Sequence, residues 1–153
     1  MSDRDDDSTM DVLSSSRCYR LLAERSVGRI GVVSDGYPVI IPVNYAMDGE
    51  TVVVRTARGS VVGRADLTKA SFQIDQFDPK RKSGWSVLLR GQLNALTVED
   101  RNELIERTRA TGVSPWAPGE HDLWMRISPE DVSGRQIEPG YSMDWRLGTA
   151  AYM

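Results

Sequence analysis

The chain has 153 residues, 40% hydrophobic and 27% charged, a balance suiting one globular domain that buries roughly 68–70% of its unfolded surface. A net charge of −3 offers no basic face for nucleic acid, and no apolar run approaches the ~20 residues that span a bilayer. One cysteine and one histidine exclude an internal disulfide and a multi-cysteine or multi-histidine metal site within the chain; the acidic opening MSDRDDDSTM is unlike a signal peptide, so the cytoplasm is the expected location.

Residues 1–9 are too charged to pack and read as a tail, with Asp5–Asp7 solvated and not a metal cage. Residues 10–140 read as one domain and 141–153 as a second tail. From Met10 the pattern is helical, with Ser14, Ser15 or Ser16 as cap, Cys18, Leu21 and Leu22 along one stripe, and Gly28 as the stop. Strand-like runs follow. Val27–Val33 is apolar and β-branched, Ser34-Asp35-Gly36 is a turn, and Pro38–Tyr45 is a second strand. Pro42 inside it cannot donate to a ladder, which marks an edge, a bulge or a ligand-facing gap. Asp48-Gly49 turns into Thr51–Thr56; Ala70–Phe77 and Trp85–Leu96 are the fourth and fifth strands, joined by a solvated loop at Lys80–Lys82.

Thr97–Thr111 breaks the period. Thr97 with Asp100 resembles a capping box, Val98, Leu104 and Ile105 give a partial apolar stripe, and Gly112 stops the helix. Leu123–Ile127 and Val132–Ile137 read as two short closing strands. Hairpins this short force antiparallel neighbours. Six or seven antiparallel strands with flanking helices define a mainly β protein, either a sandwich or a small barrel.

The segment Arg55–Arg64 (RTARGSVVGR) carries the strongest chemical signal. A strand ends at Thr56, Gly59 permits a tight turn, and a short helix begins near Ser60. Hydroxyls, backbone N–H groups and the arginines 55, 58 and 64 converge there, as an anion such as a phosphate requires. A capped helix with solvated arginines accounts for the same residues. His121 lies among polar residues and reads as a loop position, Cys18 as a small core residue, and Trp145-Arg146 as a packing anchor.

Taken in order, LLAERSVGRIGVV, PVIIPVNY, DGETVVVRTARGS, ASFQID, SGWSVLLRGQL and LWMRISPEDVSGR resemble the flavin-binding split-barrel family that includes pyridoxamine-phosphate oxidase. The resemblance spans residues 21–137 and implies a six- to seven-stranded antiparallel split β-barrel that forms a homodimer with the cofactor at its interface. It implies cofactor phosphate and ribityl groups near Thr56, Gly59 and Ser60, where Arg55, Arg58 and Arg64 are the residues able to substitute for the family's usual phosphate-binding cation. The ring system would lie along Pro42, Val43, Asn44 and Tyr45, and Ser86 would contact the cofactor; Trp85 beside it either stacks on the cofactor or packs in the core or the dimer interface. Arg135 would reach a phosphate across the interface. Flavin mononucleotide (FMN) is the first cofactor expected, the deazaflavin F420 the second and haem the last. The activity implied is a flavin- or deazaflavin-dependent oxidoreductase that moves a hydride to or from a small organic substrate. A non-catalytic cofactor binder and a cofactor-free dimer are the rivals.

Two departures bear on this. Val61 and Val62 stand where members usually carry Lys or Arg. No histidine follows His121, so the Arg-x-His ending with which pyridoxamine-phosphate oxidases proper grip their substrate is missing.

Overall fold

The computed structural model describes residues 9–139. Residues 1–8 and 140–153, which hold all of the expected tails except Thr9 together with Trp145-Arg146, lie outside the described residues, and Thr9 opens a strand. The elements are β1 (Thr9–Val12), α1 (Ser15–Ala23), β2 (Val27–Ser34), β3 (Tyr37–Asn44), β4 (Ala46–Asp48), β5 (Thr51–Thr56), α2 (Val61–Arg64), β6 (Thr68–Asp78), β7 (Ser83–Ala95), α3 (Asn102–Ala110) and β8 (Leu123–Glu138).

All eight strands belong to one antiparallel sheet of order β3-β2-β6-β7-β8-β5-β4, with β1 added to β8. β3 and β4 end opposite sides of that path, yet a single residue, Tyr45, joins them. The sheet must therefore curl on itself until its ends meet, which makes a barrel and not a sandwich. Tyr45 fixes the corner. Its hydroxyl donates to the Leu22 carbonyl (2.6 Å), its N–H donates to Ser26 O (3.0 Å), and its ring meets Phe72 edge-on at 4.7 Å. Burial, against a smaller pull from Arg25, pushes its phenol far above the usual tyrosine range.

The core lies inside the curl. Ile30, Phe72, Val87, Leu89, Leu93, Met125 and Ile127 are all fully buried, and α1 adds Cys18, Leu21 and Leu22. Ser14 caps α1 by accepting from Arg17 N–H at 3.2 Å. Met10 is thus not helical, because β1 pairs with β8 from Thr9↔Glu138 to Val12↔Arg135. Gly28 does not stop the helix either. It is the second residue of β2, where a Cβ would come 2.3 Å from Phe72 Cζ. Asp35 and Gly36, at φ of 52° and 81°, form the tight hairpin turn between β2 and β3.

The two closing strands expected after Leu123 are one 16-residue strand, in which a bulge opposite Arg90/Gly91 absorbs the Ser-Pro-Glu-Asp segment. The Thr97–Asp100 bond forms, the carboxylate accepting Thr97 N–H at 2.6 Å, but it shapes a turn ahead of α3 and leaves Val98 96% exposed. Among the described residues no helix is long and apolar enough to cross a membrane.

Candidate functional site

The corner where β3 becomes β4 exposes a strand edge. β3 has no second neighbour among the described strands. Tyr45 N–H bonds Ser26 O across a directly opposed pair, so alternation turns the N–H groups of Val43 and Ile41 toward β2 as well. Even-numbered residues of β3 face the free edge. Pro38 and Pro42 occupy two of these positions, which is why neither costs a ladder bond. The ledge expected along Pro42–Tyr45 therefore offers one backbone donor, Asn44 N–H, to its free edge. The Tyr45 side chain points into the core, Val43 packs against it, and Pro42 is exposed.

β5 runs beside this corner. Val52 and Val54 join the core cluster, which puts Thr56 on the inner side and Val53 and Arg55 on the other. At the strand's end Ser60 caps α2. Its hydroxyl donates to Ala57 O (2.7 Å), accepts Gly63 N–H (3.0 Å) and accepts the Thr56 hydroxyl (2.6 Å). Both hydroxyl protons are thereby committed inside the turn, and a phosphate approaching Thr56 and Ser60 meets acceptors until those bonds reorganise. α2 is a single turn, too short to gather much dipole. Val62 is a buried plug of the core at 3% exposure and Val61 packs against it, so no cation is accommodated at 62. Arg58, Gly59 and Arg64 are exposed around the turn, and these two arginines are its available cations.

Arg55 does a different job. Its guanidinium donates to His121 O (3.1 Å) and Val113 O (3.3 Å) and lies 4.6 Å over the Trp124 ring. It fastens both ends of the loop at residues 111–122 to β5 and β8. Asn44 Oδ1 fastens the middle by accepting Trp116 N–H at 2.8 Å, and His121 Nε2–H donates to Ala117 O at 2.9 Å. His121 Nδ1 is buried without a hydrogen-bond partner among the described residues. Behind the loop, Asp48 accepts from Arg107 (2.9 Å) and Arg126 (2.8 Å), and Arg126 also donates to the buried Thr108 hydroxyl (2.7 Å). Burial alone would raise the Asp48 carboxyl, but the two arginines outweigh it and hold Asp48 below the usual carboxylate range. This network locks α3 against the β4–β5 hairpin. The sequence marks the loop only by a tryptophan between two prolines, Pro115 and Pro118.

Thr56, Gly59, Ser60 and Arg64 share the turn that follows β5, and Asn44 and Arg55 both hold the loop at residues 111–122. The structure does not bring Trp85 and Ser86 to them. Both stand on β7, separated from β5 by β8 and from β3 by β6 and β2. Trp85 packs at the barrel's end with the Arg25 guanidinium 5.0 Å over its ring, while Ser86 lies on the outer face opposite Arg135. A cleft of about 510 Å³ opens beside Trp85, Phe77 and Arg81. A second of about 640 Å³ runs over Val33, Ile40, Lys69 and Arg90 on the outer face. Cys18 is buried and burial pushes its thiol up, against a smaller backbone hydrogen bond. Among the described residues no group of three or more His, Cys, Asp or Glu is placed to hold a metal.

An antiparallel sheet curled until its ends meet at one residue, with a helix packed into its core through Cys18, Leu21 and Leu22, is a split β-barrel. Residues 14–136 match the family described as pyridoxamine 5'-phosphate oxidase, and the chain belongs to that family. It is 31% identical over 131 residues to an uncharacterized protein of Mycobacterium tuberculosis, covering 82% of this chain and 84% of the other. The FAD binding protein of Mycobacterium smegmatis superposes with a TM-score of 0.69 at 30% identity, over 82% of this chain and 98% of that one. An FAD-binding protein of Mesorhizobium loti shares the fold at a TM-score of 0.68 and 24% identity, over 86% and 98%.

Proposed function

We propose that this chain binds a flavin nucleotide at the β3–β4 corner and the turn after β5, and that it works as a homodimeric oxidoreductase on a small organic substrate. One observation carries the reading: a protein that this chain matches at 30% identity, across 98% of that protein's length, is an FAD binding protein. The residues fit such a ligand. A free strand edge with the Asn44 amide suits a flat polar ring, and Arg58 and Arg64 supply exposed cations for phosphate. A bound flavin supplies hydride exchange with the substrate. The chain's own share is to orient and to neutralise charge, since its one histidine is tied into the loop through Ala117 O.

The dimer supplies what one chain lacks. Ser86 and Arg135 face outward, so they reach a phosphate only on a second copy.

Melting the protein with FMN, FAD and F420 in turn tests the reading. A ligand at 100 times its Kd adds ~2.7 kcal/mol, a rise of roughly 5–11 °C for a chain this size. FMN or FAD is expected to give that rise. A rise with F420 alone reassigns the site to a deazaflavin, and no rise with any of the three removes the cofactor and the enzyme reading together. Binding without turnover against any electron donor leaves a carrier or sensor.

A further inference from the structure

The loop at residues 111–122 is twelve residues without regular structure, a length at which a loop in a compact domain usually carries function. It is nevertheless held at every stage. Val113 is buried, Arg55 grips Val113 O and His121 O, His121 clasps Ala117 O, and Pro115 and Pro118 stiffen the turns between. At its middle stands Trp116, 79% exposed. Trp116 rises from a backbone N–H held 2.8 Å from Asn44 Oδ1, and Asn44 also carries the one N–H that the corner turns toward its free edge. The fold thus fixes a large aromatic side chain at the lip of the ledge without burying it. A rigid loop presenting an exposed indole is a recognition element, because the ring offers contact area with little further entropy to lose.

We infer that Trp116 covers the flat ring of the ligand bound at the β3–β4 corner, and that Asn44 positions it. This rests on the flavin reading above. The chemistry recognised is a planar, electron-poor aromatic ring system, gripped by its face, whichever phosphate tail it carries. Asn44 acts through Trp116: its side-chain oxygen sets where the loop stands, and the indole makes the contact.

Flavin fluorescence anisotropy with FMN and with FAD, on the full chain, tests the inference. The variants are Trp116→Ala, Trp116→Phe, Asn44→Ala, the double variant Asn44→Ala/Trp116→Ala, and Tyr37→Ala as an exposed aromatic control at the far end of β3. Trp116→Ala is expected to weaken both flavins about 5- to 100-fold, the range that stacking on an aromatic side chain supplies. Trp116→Phe keeps most of the affinity and Tyr37→Ala all of it. Asn44→Ala weakens binding and changes the visible circular dichroism of the bound ring, yet the double variant binds no worse than Trp116→Ala alone. Melting temperatures stay near wild type for Trp116→Ala, since the side chain buries little. If the wild type binds a flavin and Trp116→Ala binds it equally, Trp116 is off the ring and this inference falls while the flavin reading stands. If Trp116→Ala instead dissociates the protein into monomers, the indole is a subunit contact and the inference falls again. If the wild type binds neither flavin, both readings fall together.

Discussion

Replacing Arg55 with Met separates two roles for one residue. The segment Arg55–Arg64 suggests a phosphate cation; the structure makes Arg55 the clasp of the loop at residues 111–122. Methionine keeps the stem and removes the guanidinium, so two charge-assisted hydrogen bonds to part-buried carbonyls and the contact with Trp124 disappear. Such bonds contribute ~1.5–3 kcal/mol each and a cation–π contact ~0.5–1, but losses within one cluster do not add fully. A net loss of about 2–3 kcal/mol follows, which lowers the melting temperature by roughly 4–12 °C. The assay is thermal unfolding, paired with affinities for riboflavin and for FMN, which differ only in the phosphate. The clasp predicts reduced stability and an equal loss for both ligands, because the loop bearing Trp116 loosens. A variant that melts like wild type and loses FMN while keeping riboflavin would refute the clasp and restore Arg55 to the phosphate.

Two further substitutions test the frame around the site. Asp48→Asn removes a carboxylate held below its usual range by Arg107 and Arg126. A depressed carboxylate adds stability that is present above the unfolded pKa of ~3.9 and is lost as pH falls through the folded value. The variant is therefore less stable at neutral pH, and its stability declines less on acidification; denaturant melts at several pH values that run parallel to wild type would contradict this. On β3, Pro42→Ala is expected to cost at most ~1 kcal/mol, since its nitrogen faces the free edge, whereas Ile41→Pro removes a ladder donor and costs ~3 kcal/mol or more. Equal costs in urea unfolding would show that β3 is not the edge strand.

What the residues reveal unaided follows from local chemistry. Asp35-Gly36 and Asp48-Gly49 punctuate the chain, so β2, β3, β5, β6 and β7 are legible within a few residues. β1 is not. Thr9–Val12 is short and half polar, and only its partner, 123 or more residues later, makes it a strand. Ser-Pro-Glu-Asp at residues 128–131 reads as a turn because a bulge is a property of two strands, not of one. The anion segment is legible as a turn and a cap, but the direction of each side chain was masked. Three consecutive valines in Val52–Val54 hide which face Arg55 takes, and both faces of β5 prove to be buried, because Val53 is as inaccessible as the core-facing Val52 and Val54. The bond between Asn44 and Trp116 joins residues 72 positions apart and leaves no local trace.

The central claim is that this split barrel holds a flavin nucleotide. Passing the purified protein, mixed with excess FMN or FAD, through a desalting column and recording the absorbance spectrum of the protein fraction tests it most directly. The account predicts a flavin band that co-elutes with the protein at about one ring per chain, two in the proposed homodimer. A colourless protein fraction with both flavins would contradict it.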